Sequence, residues 1–155
     1  MKPGGEKRPD AAVFTFGFAA HLSHVDRACR ELERFLAQQN VGSDRFDIFL
    51  VLRELLNNAV IHGSRCEPDK WVRLRAQLAQ EELTVEIEDQ GPGFDWHTVR
   101  SESGVDPNAC SGRGLHITAG YTDFFEYNSA GNTVRFKKRV QRFPEKYAEG
   151  HSEQG

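Results

Sequence analysis

The sequence predicts an α+β fold, a two-layer sandwich in which helices cover one face of a mostly antiparallel, mixed sheet. Two observations support this prediction. The spacing of apolar residues gives the order strand, helix, helix, strand, strand, loop, helix, strand, strand, and helices on one face of such a sheet bury its apolar side. The length of 155 residues, with 38% hydrophobic and 28% charged residues, is typical of one globular domain.

The first half of the chain begins with a strand and continues with two helices. Residues 13–18 alternate and place three phenylalanines on one face, which is a strand pattern. Residues 21–39 carry apolar side chains at three- and four-residue spacing, as an amphipathic helix does. A second helix, capped by Ser43 or Asp44, is expected to run up to Gly63.

The second half of the chain alternates strands with less regular segments. We expect strands at 72–79 and 83–88, a turn-rich break at 89–95, a long loop at 96–113, a short helix at 115–121, and strands at 123–127 and 133–140. Most connections in compact domains are far shorter than this loop, and loops of such length are more often functional or disordered. The loop therefore marks a region to consider for function.

Composition excludes several classes of protein. A net charge of −3 argues against direct nucleic-acid binding, which normally comes with a basic excess. The polar N-terminus has no signal-peptide core, and no apolar run is long enough to span a membrane. The three cysteines lie at neither metal-ligand nor disulfide-framework spacing: Cys29, Cys66 and Cys110. We expect a cytoplasmic protein with a folded domain at 12–140, a disordered N-terminus at 1–10 and a polar tail at 143–155.

Three segments carry residues suited to chemistry, and the first lies in the second helix. Glu54 and Asn58 are four residues apart, so they share one helix face, and His62 is expected one turn further along the same face. An amide oxygen suits Mg²⁺, which prefers oxygen ligands, and a carboxylate can accept a proton from a hydroxyl or a water. A solvated polar stripe on an amphipathic helix would also explain this segment taken alone.

The second segment, Asp89-Gln-Gly91-Pro-Gly93, directly follows an alternating strand. A carboxylate at the end of a strand can accept a hydrogen bond from an exocyclic amine such as that of adenine. The glycines would let the backbone approach a flat ligand closely. An ordinary turn after a strand is the alternative explanation.

The third segment, Ser111-Gly112-Arg113-Gly114, opens a helix at the end of the long loop. Backbone N–H groups at the start of a helix can bind phosphate, and the arginine adds a cation. A flexible glycine hinge would explain this segment equally well.

In this order and spacing, the three segments resemble the nucleotide site of the GHKL ATPases, which include gyrase-type topoisomerases, heat-shock chaperones and histidine kinases. The sequence ELLNNAVIHG looks like the N-box of that family, DQGPGFD like its first glycine box and SGRGLHI like its second. The resemblance covers about residues 12–140 and implies an ATP site between the helices and the sheet, under a mobile lid. Within the family, the chain is most similar to bacterial anti-sigma-factor serine/threonine kinases.

The resemblance implies a role for each motif residue. Glu54 would be the general base, Asn58 the Mg²⁺ ligand and Asp89 the acceptor for the adenine amine. Two glycines of the first box would shape the lid hinge: Gly91 and Gly93. Three residues of the second box would contact phosphates: Gly112, Arg113 and Gly114. Thr133 would take a position that supports the adenine-binding aspartate, and the neighbouring Asn132 is the alternative alignment.

The identity of Glu54 separates the members of the family. Histidine kinases usually have Asn at this position, and they need a His-bearing dimerisation helix for which residues 1–42 leave no room. The resemblance therefore implies an ATP- and Mg²⁺-dependent serine/threonine kinase that acts as an anti-sigma factor. It would phosphorylate a small antagonist protein, hold a sigma factor inactive, and form a homodimer through the strand at 13–18.

Three alternatives to this function stay open. In the first alternative, the chain is a nucleotide-gated binding module that switches partners without transferring phosphate. In the second, it is a switch kinase whose partner is a signalling protein other than a sigma factor. The third alternative is an α+β domain with no nucleotide site, although three boxes in the family's order argue against it.

Overall fold

The computed structural model describes residues 11–42, 45–93 and 118–144. The elements in chain order are β1 (Ala12–Ala19), a 3₁₀ turn (Leu22–His24), α1 (Val25–Gln38), α2 (Arg45–Asn58), a π-helical segment (Ala59–Gly63), β2 (Trp71–Ala79), β3 (Glu82–Asp89), β4 (Phe124–Tyr127) and β5 (Thr133–Arg139). Each strand begins and ends within one residue of its predicted position. Residues 118–121 are also helical, as expected for the end of the helix predicted at 115–121.

Several predictions fall outside the described residues. These are the disordered N-terminus at 1–10, the helix cap at 43–44, the long loop and the second glycine box within 94–117, and the polar tail from residue 145. Within the three described ranges, no helix is long and apolar enough to cross a membrane.

The five described strands form one sheet in the order β1-β2-β3-β5-β4. All four pairings between neighbouring strands are antiparallel. The chain makes a hairpin of β2 and β3 and another of β4 and β5, and the pairing of β3 with β5 joins the two hairpins. β3 is therefore the central strand, and its C-terminal residue Asp89 lies in the interior of the sheet rather than at an edge. The predicted α+β class with a mostly antiparallel sheet is confirmed.

The two helices cover one face of this sheet. The buried side chains of α1 recur at three- and four-residue spacing and face the strands: Val25, Ala28, Cys29, Leu32, Phe35 and Leu36. The phenylalanines of β1 meet them, and the rings of Phe14 and Phe35 lie 5.4 Å apart. The faces predicted for α1 and β1 from their apolar periods are thus the faces that form the core, whereas Phe46, predicted for the apolar face of α2, is 75% exposed.

The other face of the sheet carries charged side chains in rows across the strands. One row, read from β2 through β3 and β5 to β4, is Arg75, Glu86, Arg135 and Glu126. Opposite charges on neighbouring strands stabilise each other, and a face of this kind is compatible with water. A buried ligand pocket must therefore lie on the helical side of the sheet.

The second helix ends differently from its predicted form. The regular α-helix stops at Asn58, and the following turn at Ala59–Gly63 is π-helical. Its wider turn is closed by the N–H of Ser64, which donates to the Ala59 carbonyl at 2.8 Å. His62 is exposed whereas Asn58 is buried, so the expectation that His62 continues the face of Asn58 is wrong.

Candidate functional site

A small cavity of about 10 Å³ lies between the end of α2 and the inner face of the sheet. Its polar lining comes from four segments of the chain: Asn58, Asp89, Tyr127 and Asn132. Its apolar lining comes from the helical layer and the strands below it: Leu55, Ala59, Gly63, Ile87 and Val134. The first two motifs found in the sequence therefore meet at one point in the fold.

Asp89 is the last residue of β3 and points inward, with 7% of its surface exposed. The N–H of Gly91 donates to its Oδ1 at 2.7 Å. Burial raises the pKa of this carboxyl to about 6, the negative charge of Glu88 adds to the increase, and the Gly91 hydrogen bond opposes it. A buried carboxylate with spare lone pairs is suited to accept a hydrogen bond from an N–H group of a ligand.

Two glycines allow the backbone to pack against Asp89. A Cβ on Gly63 would overlap the Asp89 carboxylate, and a Cβ on Gly91 would overlap the Gly63 carbonyl. Gly93 has φ of 91°, which side-chain-bearing residues rarely adopt, and a Cβ there would overlap the Ala130 carbonyl. The sequence predicted Gly63 as the end of the second helix. The structure adds that a side chain at this position would leave no space for the Asp89 carboxylate.

The register of β3 and β5 decides which residue faces Asp89. Glu88 lies opposite Thr133, so both point to the charged face of the sheet. Asn132 is one residue earlier and lines the cavity, whereas Thr133 does not. The Asp89 N–H donates to the Asn132 carbonyl at 3.0 Å, and the Asn132 Nδ2 donates to the Gly91 carbonyl at 3.2 Å. Of the two residues left open by the sequence, Asn132 is the one that contacts the aspartate segment.

The side chain of Asn128 holds this turn in place. Its Oδ1 accepts from the backbone N–H groups of Gly131 at 2.8 Å, Asn132 at 3.0 Å and Thr133 at 3.2 Å. Its Nδ2 donates to Asn132 Oδ1 at 2.9 Å. One asparagine therefore fixes both the backbone and the side chain of Asn132 against the first glycine box.

Glu54 and Asn58 lie on consecutive turns of the regular part of α2. Asn58 is 5% exposed and lines the cavity, whereas Glu54 is half-buried and lies outside the lining. The Nδ2 atom of Asn58 is buried and has no hydrogen-bond partner in the described part of the chain. Buried amides nearly always have partners, so an orphan donor at this position fits a site that a ligand or a water completes.

The residues present fit a magnesium ion that is held together with a nucleotide. The described ranges contain no cluster of three or more His, Cys, Asp or Glu side chains that would hold a metal ion unaided. Mg²⁺ commonly takes one or two protein oxygens and fills its remaining positions with water and substrate phosphates. The Oδ1 atom of Asn58 would be such a ligand.

Tyr127 is a site residue that the sequence argument missed. It is the last residue of β4, 6% exposed, and lines the cavity beside Asn58 and Asp89. Burial raises the pKa of its hydroxyl strongly, the Asp89 carboxylate adds to the increase, and the nearby polar Asn58 amide opposes it. The alternation of β4 placed its side chain on the inner face, but no motif linked it to the two boxes.

Comparison with known proteins identifies the family. Residues 18–138 match the histidine kinase-like ATPase domain. An anti-sigma F factor of Clostridium perfringens is 35% identical over 79 residues, which are 50% of this chain and 56% of that protein. The chain thus spans about half the length of this relative. An anti-sigma F factor of Clostridium beijerinckii is 28% identical over 116 residues, covering 68% of this chain and 78% of that protein.

The matched region contains both helices, β2, β3, β4, all but the last residue of β5 and the end of β1, together with both motif segments that form the cavity. It also contains the second glycine box, whose residues Gly112, Arg113 and Gly114 lie outside the described ranges. The resemblance to GHKL ATPases that the three boxes predicted is confirmed, and the chain belongs to the histidine kinase-like ATPase domain family.

Proposed function

We propose that the chain is an ATP-dependent serine/threonine protein kinase that acts as an anti-sigma factor. The observation that carries the proposal is the meeting of Asn58 and Asp89 in one cavity, with Glu54 one turn away on the same helix. From the interior of the site outward, the proposed roles are adenine binding by Asp89, metal binding by Asn58 and proton transfer by Glu54. The relatives named anti-sigma F factors support the same assignment.

Nucleotide binding would use the inner part of the site. The Asp89 carboxylate would accept a hydrogen bond from the adenine amine, and Gly91 would keep that carboxylate oriented through its N–H. Gly63 leaves space for the carboxylate because it has no side chain. The remaining proposed contacts are with the phosphates and lie in the second glycine box: Gly112, Arg113 and Gly114.

Phosphate transfer would use the outer part of the site. Magnesium bound through Asn58 would neutralise charge on the phosphates. Glu54 would take the proton from a serine or threonine hydroxyl of the partner protein while that oxygen forms its bond to the γ-phosphorus. The bond from that phosphorus to the bridging oxygen of ADP breaks in the same step. Positioning and charge neutralisation supply most of the rate in such transfers.

The partners proposed for the chain follow from its relatives. A sigma factor would be held inactive, and a small antagonist protein with an exposed serine or threonine would be the substrate. Phosphorylation of the antagonist would prevent it from competing for the kinase, so the two partners would exchange in the cytoplasm according to the nucleotide bound. The name of the relatives, anti-sigma F factor, supports the sigma factor as a partner. The antagonist protein is proposed because the kinase reaction needs a protein substrate.

Two substitutions test this function with radiolabelled ATP and candidate antagonist proteins. Glu54→Ala should keep nucleotide binding and lose phosphate transfer by a factor of about 10²–10⁴, the usual contribution of a positioned base. Asp89→Asn should lose ATP binding, because its single amide oxygen cannot face both the Gly91 N–H and the adenine NH₂, so its own NH₂ meets one of these donors. Glu126→Ala, on the charged face of β4, is the matched control and should change neither quantity.

The outcomes separate the proposal from its competitors. Normal phosphate transfer by both Glu54→Ala and Asp89→Asn would show that the site is wrongly assigned. ATP binding by the wild-type protein without transfer to any antagonist, in the presence of a captured sigma factor, would favour a nucleotide-gated binding module instead.

A further inference from the structure

The first glycine box is held in place by a side chain that lies outside it. Gly91 has no side chain of its own, and a glycine backbone has more rotational freedom than any other. Its N–H nevertheless points at Asp89, to whose Oδ1 it donates at 2.7 Å. Its carbonyl accepts from the Nδ2 atom of Asn132 at 3.2 Å, 41 positions later in the chain. The direction of the Gly91 N–H therefore depends on the turn that precedes β5.

The contacts of Asn128 decide which end of the Asn132 amide faces Gly91. The two ends of an amide have nearly the same size, so the hydrogen-bond network has to distinguish them. Three backbone N–H groups converge on one end of the Asn128 side chain at 2.8–3.2 Å, and this end must be its oxygen. Its other end is then an NH₂ group, which donates to the Oδ1 atom of Asn132 at 2.9 Å. The NH₂ group of Asn132 is thereby directed at the Gly91 carbonyl, which is an acceptor.

Asn128 itself lies outside the cavity. It is exposed and does not belong to the cavity lining, whereas Asn132 and Asp89 do. An effect of Asn128 on a ligand of Asp89 must therefore pass through other residues. The hydrogen bonds supply such a route, from Asn128 to Asn132, from Asn132 to the Gly91 carbonyl, and from the Gly91 N–H to the carboxylate.

We propose that Asn128 is a positioning residue for the ligand-binding carboxylate of Asp89. By orienting the Asn132 amide it holds the Gly91 carbonyl, and the Gly91 N–H then sets the carboxylate in the direction that an amine of the bound base requires. This inference rests on the proposed function, since it concerns how that site binds the base. It assigns Asn128 no contact with the nucleotide.

The substitution Asn128→Asp separates this relay from the stability of the turn. An aspartate keeps an oxygen that accepts from the three backbone N–H groups, so the melting temperature should stay close to that of the wild type. Its second oxygen replaces the NH₂ group, so Asn132 has to turn its own NH₂ toward position 128. The Asn132 oxygen then meets the Gly91 carbonyl as acceptor against acceptor.

Adenosine is the probe for this variant, because it carries no phosphate and does not respond to the added negative charge as ATP would. Its affinity, measured by displacement of a fluorescent ATP analogue, should fall about three- to tenfold, the usual contribution of one neutral hydrogen bond. Ser129→Asp is the matched control. It adds the same charge at the neighbouring exposed position, keeps the Asn128 amide and should leave the adenosine affinity unchanged.

Nuclear magnetic resonance of the Gly91 amide gives a readout that a merely structural role of Asn128 in its turn would not change. In Asn128→Asp the Gly91 amide proton should move upfield and exchange faster with solvent, because its hydrogen bond to Asp89 is weakened. In Ser129→Asp this signal should stay where it is in the wild type.

A second background tests the route of the effect. Asn132→Ala removes the middle of the relay, so Asn128→Asp should then cause no further loss of adenosine affinity. Such non-additivity is the signature of residues that act together. An equal loss in both backgrounds would show that Asn128 acts independently of Asn132 and would overturn the proposal.

Two further results with a folded Asn128→Asp protein would also overturn it. One is an adenosine affinity equal to that of the wild type, and the other is a lower affinity with an unchanged Gly91 signal. Both results would leave the kinase assignment intact. Failure of the wild-type protein to bind either ATP or adenosine would instead remove the proposed function together with this inference.

Discussion

At the scale of single residues, the proposed site needs a negative charge on Asp89, although burial of this carboxyl disfavours its ionised form. Asp89 is nearly buried, and its pKa is raised from 3.8 to about 6 because burial penalises its ionised form. The proposed adenine contact needs the ionised carboxylate as an acceptor. Under the proposed function, the residue would serve binding at the expense of stability, as is common in functional sites.

This conflict predicts how stability depends on pH. Because the folded pKa of Asp89 exceeds the unfolded one, its contribution to stability is fully present below about pH 4 and is lost as pH rises through about 6. Removal of the charge by Asp89→Asn should raise the free energy of unfolding at pH 8 by about 1–2 kcal/mol, within the roughly 3 kcal/mol that the pKa shift implies. Urea denaturation at pH 8 and pH 4 measures the difference.

The control for this prediction is Asp69→Asn, which neutralises an exposed aspartate. It should change the free energy of unfolding little at either pH. Should Asp89→Asn destabilise the protein at pH 8 by the same amount as at pH 4, the burial penalty on the charge would be refuted.

At the scale of elements, the junction between α2 and its π-helical turn shapes the site. The α-helical part holds Glu54 and Asn58 on consecutive turns, and the π turn then brings Gly63 against Asp89. Single π turns inside helices occur frequently at functional sites because they shift the residues that follow. Here the shift moves His62 to the surface and a glycine to the wall of the cavity.

The contact between the π turn and β3 predicts the effect of a single methyl group. Gly63→Ala should weaken ATP binding and lower the free energy of unfolding by about 1–3 kcal/mol, because the new Cβ overlaps the Asp89 carboxylate and the tightly packed backbone cannot easily move. Thermal denaturation and ATP titration measure the two effects. In the matched change Gly120→Ala the new Cβ meets no atom of the described residues within 4 Å, so stability and ATP binding should stay the same or improve slightly. Equal behaviour of the two variants would contradict the packing argument.

At the scale of the whole molecule, β1 is an edge strand of the sheet that the described residues form, and its own sequence lacks the usual protection. Its sequence AVFTFGFA contains no charged residue and no proline over eight residues, and Val13 is 53% exposed. Edge strands normally carry charges, prolines or bulges that prevent pairing with another chain. The homodimer predicted from the sequence therefore stays a proposal, and the exposed edge of β1 is the surface through which it would form.

The proposal predicts that charge on the edge strand prevents dimer formation. In a two-fold dimer with antiparallel β1 strands, the double change Val13→Lys with Thr15→Lys would bring like charges together across the interface, which is destabilising. Size-exclusion chromatography with light scattering should give a dimer for the wild type and a monomer for this variant. Gln77→Lys, on the interior strand β2, is the control and should stay dimeric. A monomeric wild type, or a dimeric double variant, would rule out this interface.

The sequence alone determined the order of the described elements, the buried faces of β1 and α1, and the family. These features are local, because a period of two or 3.6 residues reports which side of a strand or helix is buried, and the motif residues lie within short segments. Even the phenylalanines of β1 and the apolar stripe of α1 fall on the sides that their spacing predicts.

Only the tertiary structure decided which distant residues share the cavity. Asn132 and Gly91 are 41 positions apart, and the choice of Asn132 over Thr133 depends on the register of β3 and β5, in which a slip of one residue exchanges the two faces. The contact of Gly63 with Asp89 depends on a π turn that the apolar period does not distinguish from an α turn. The place of Tyr127 beside Asn58 depends on a sheet order that no short motif records, because strand pairing is fixed by the packing of the whole core.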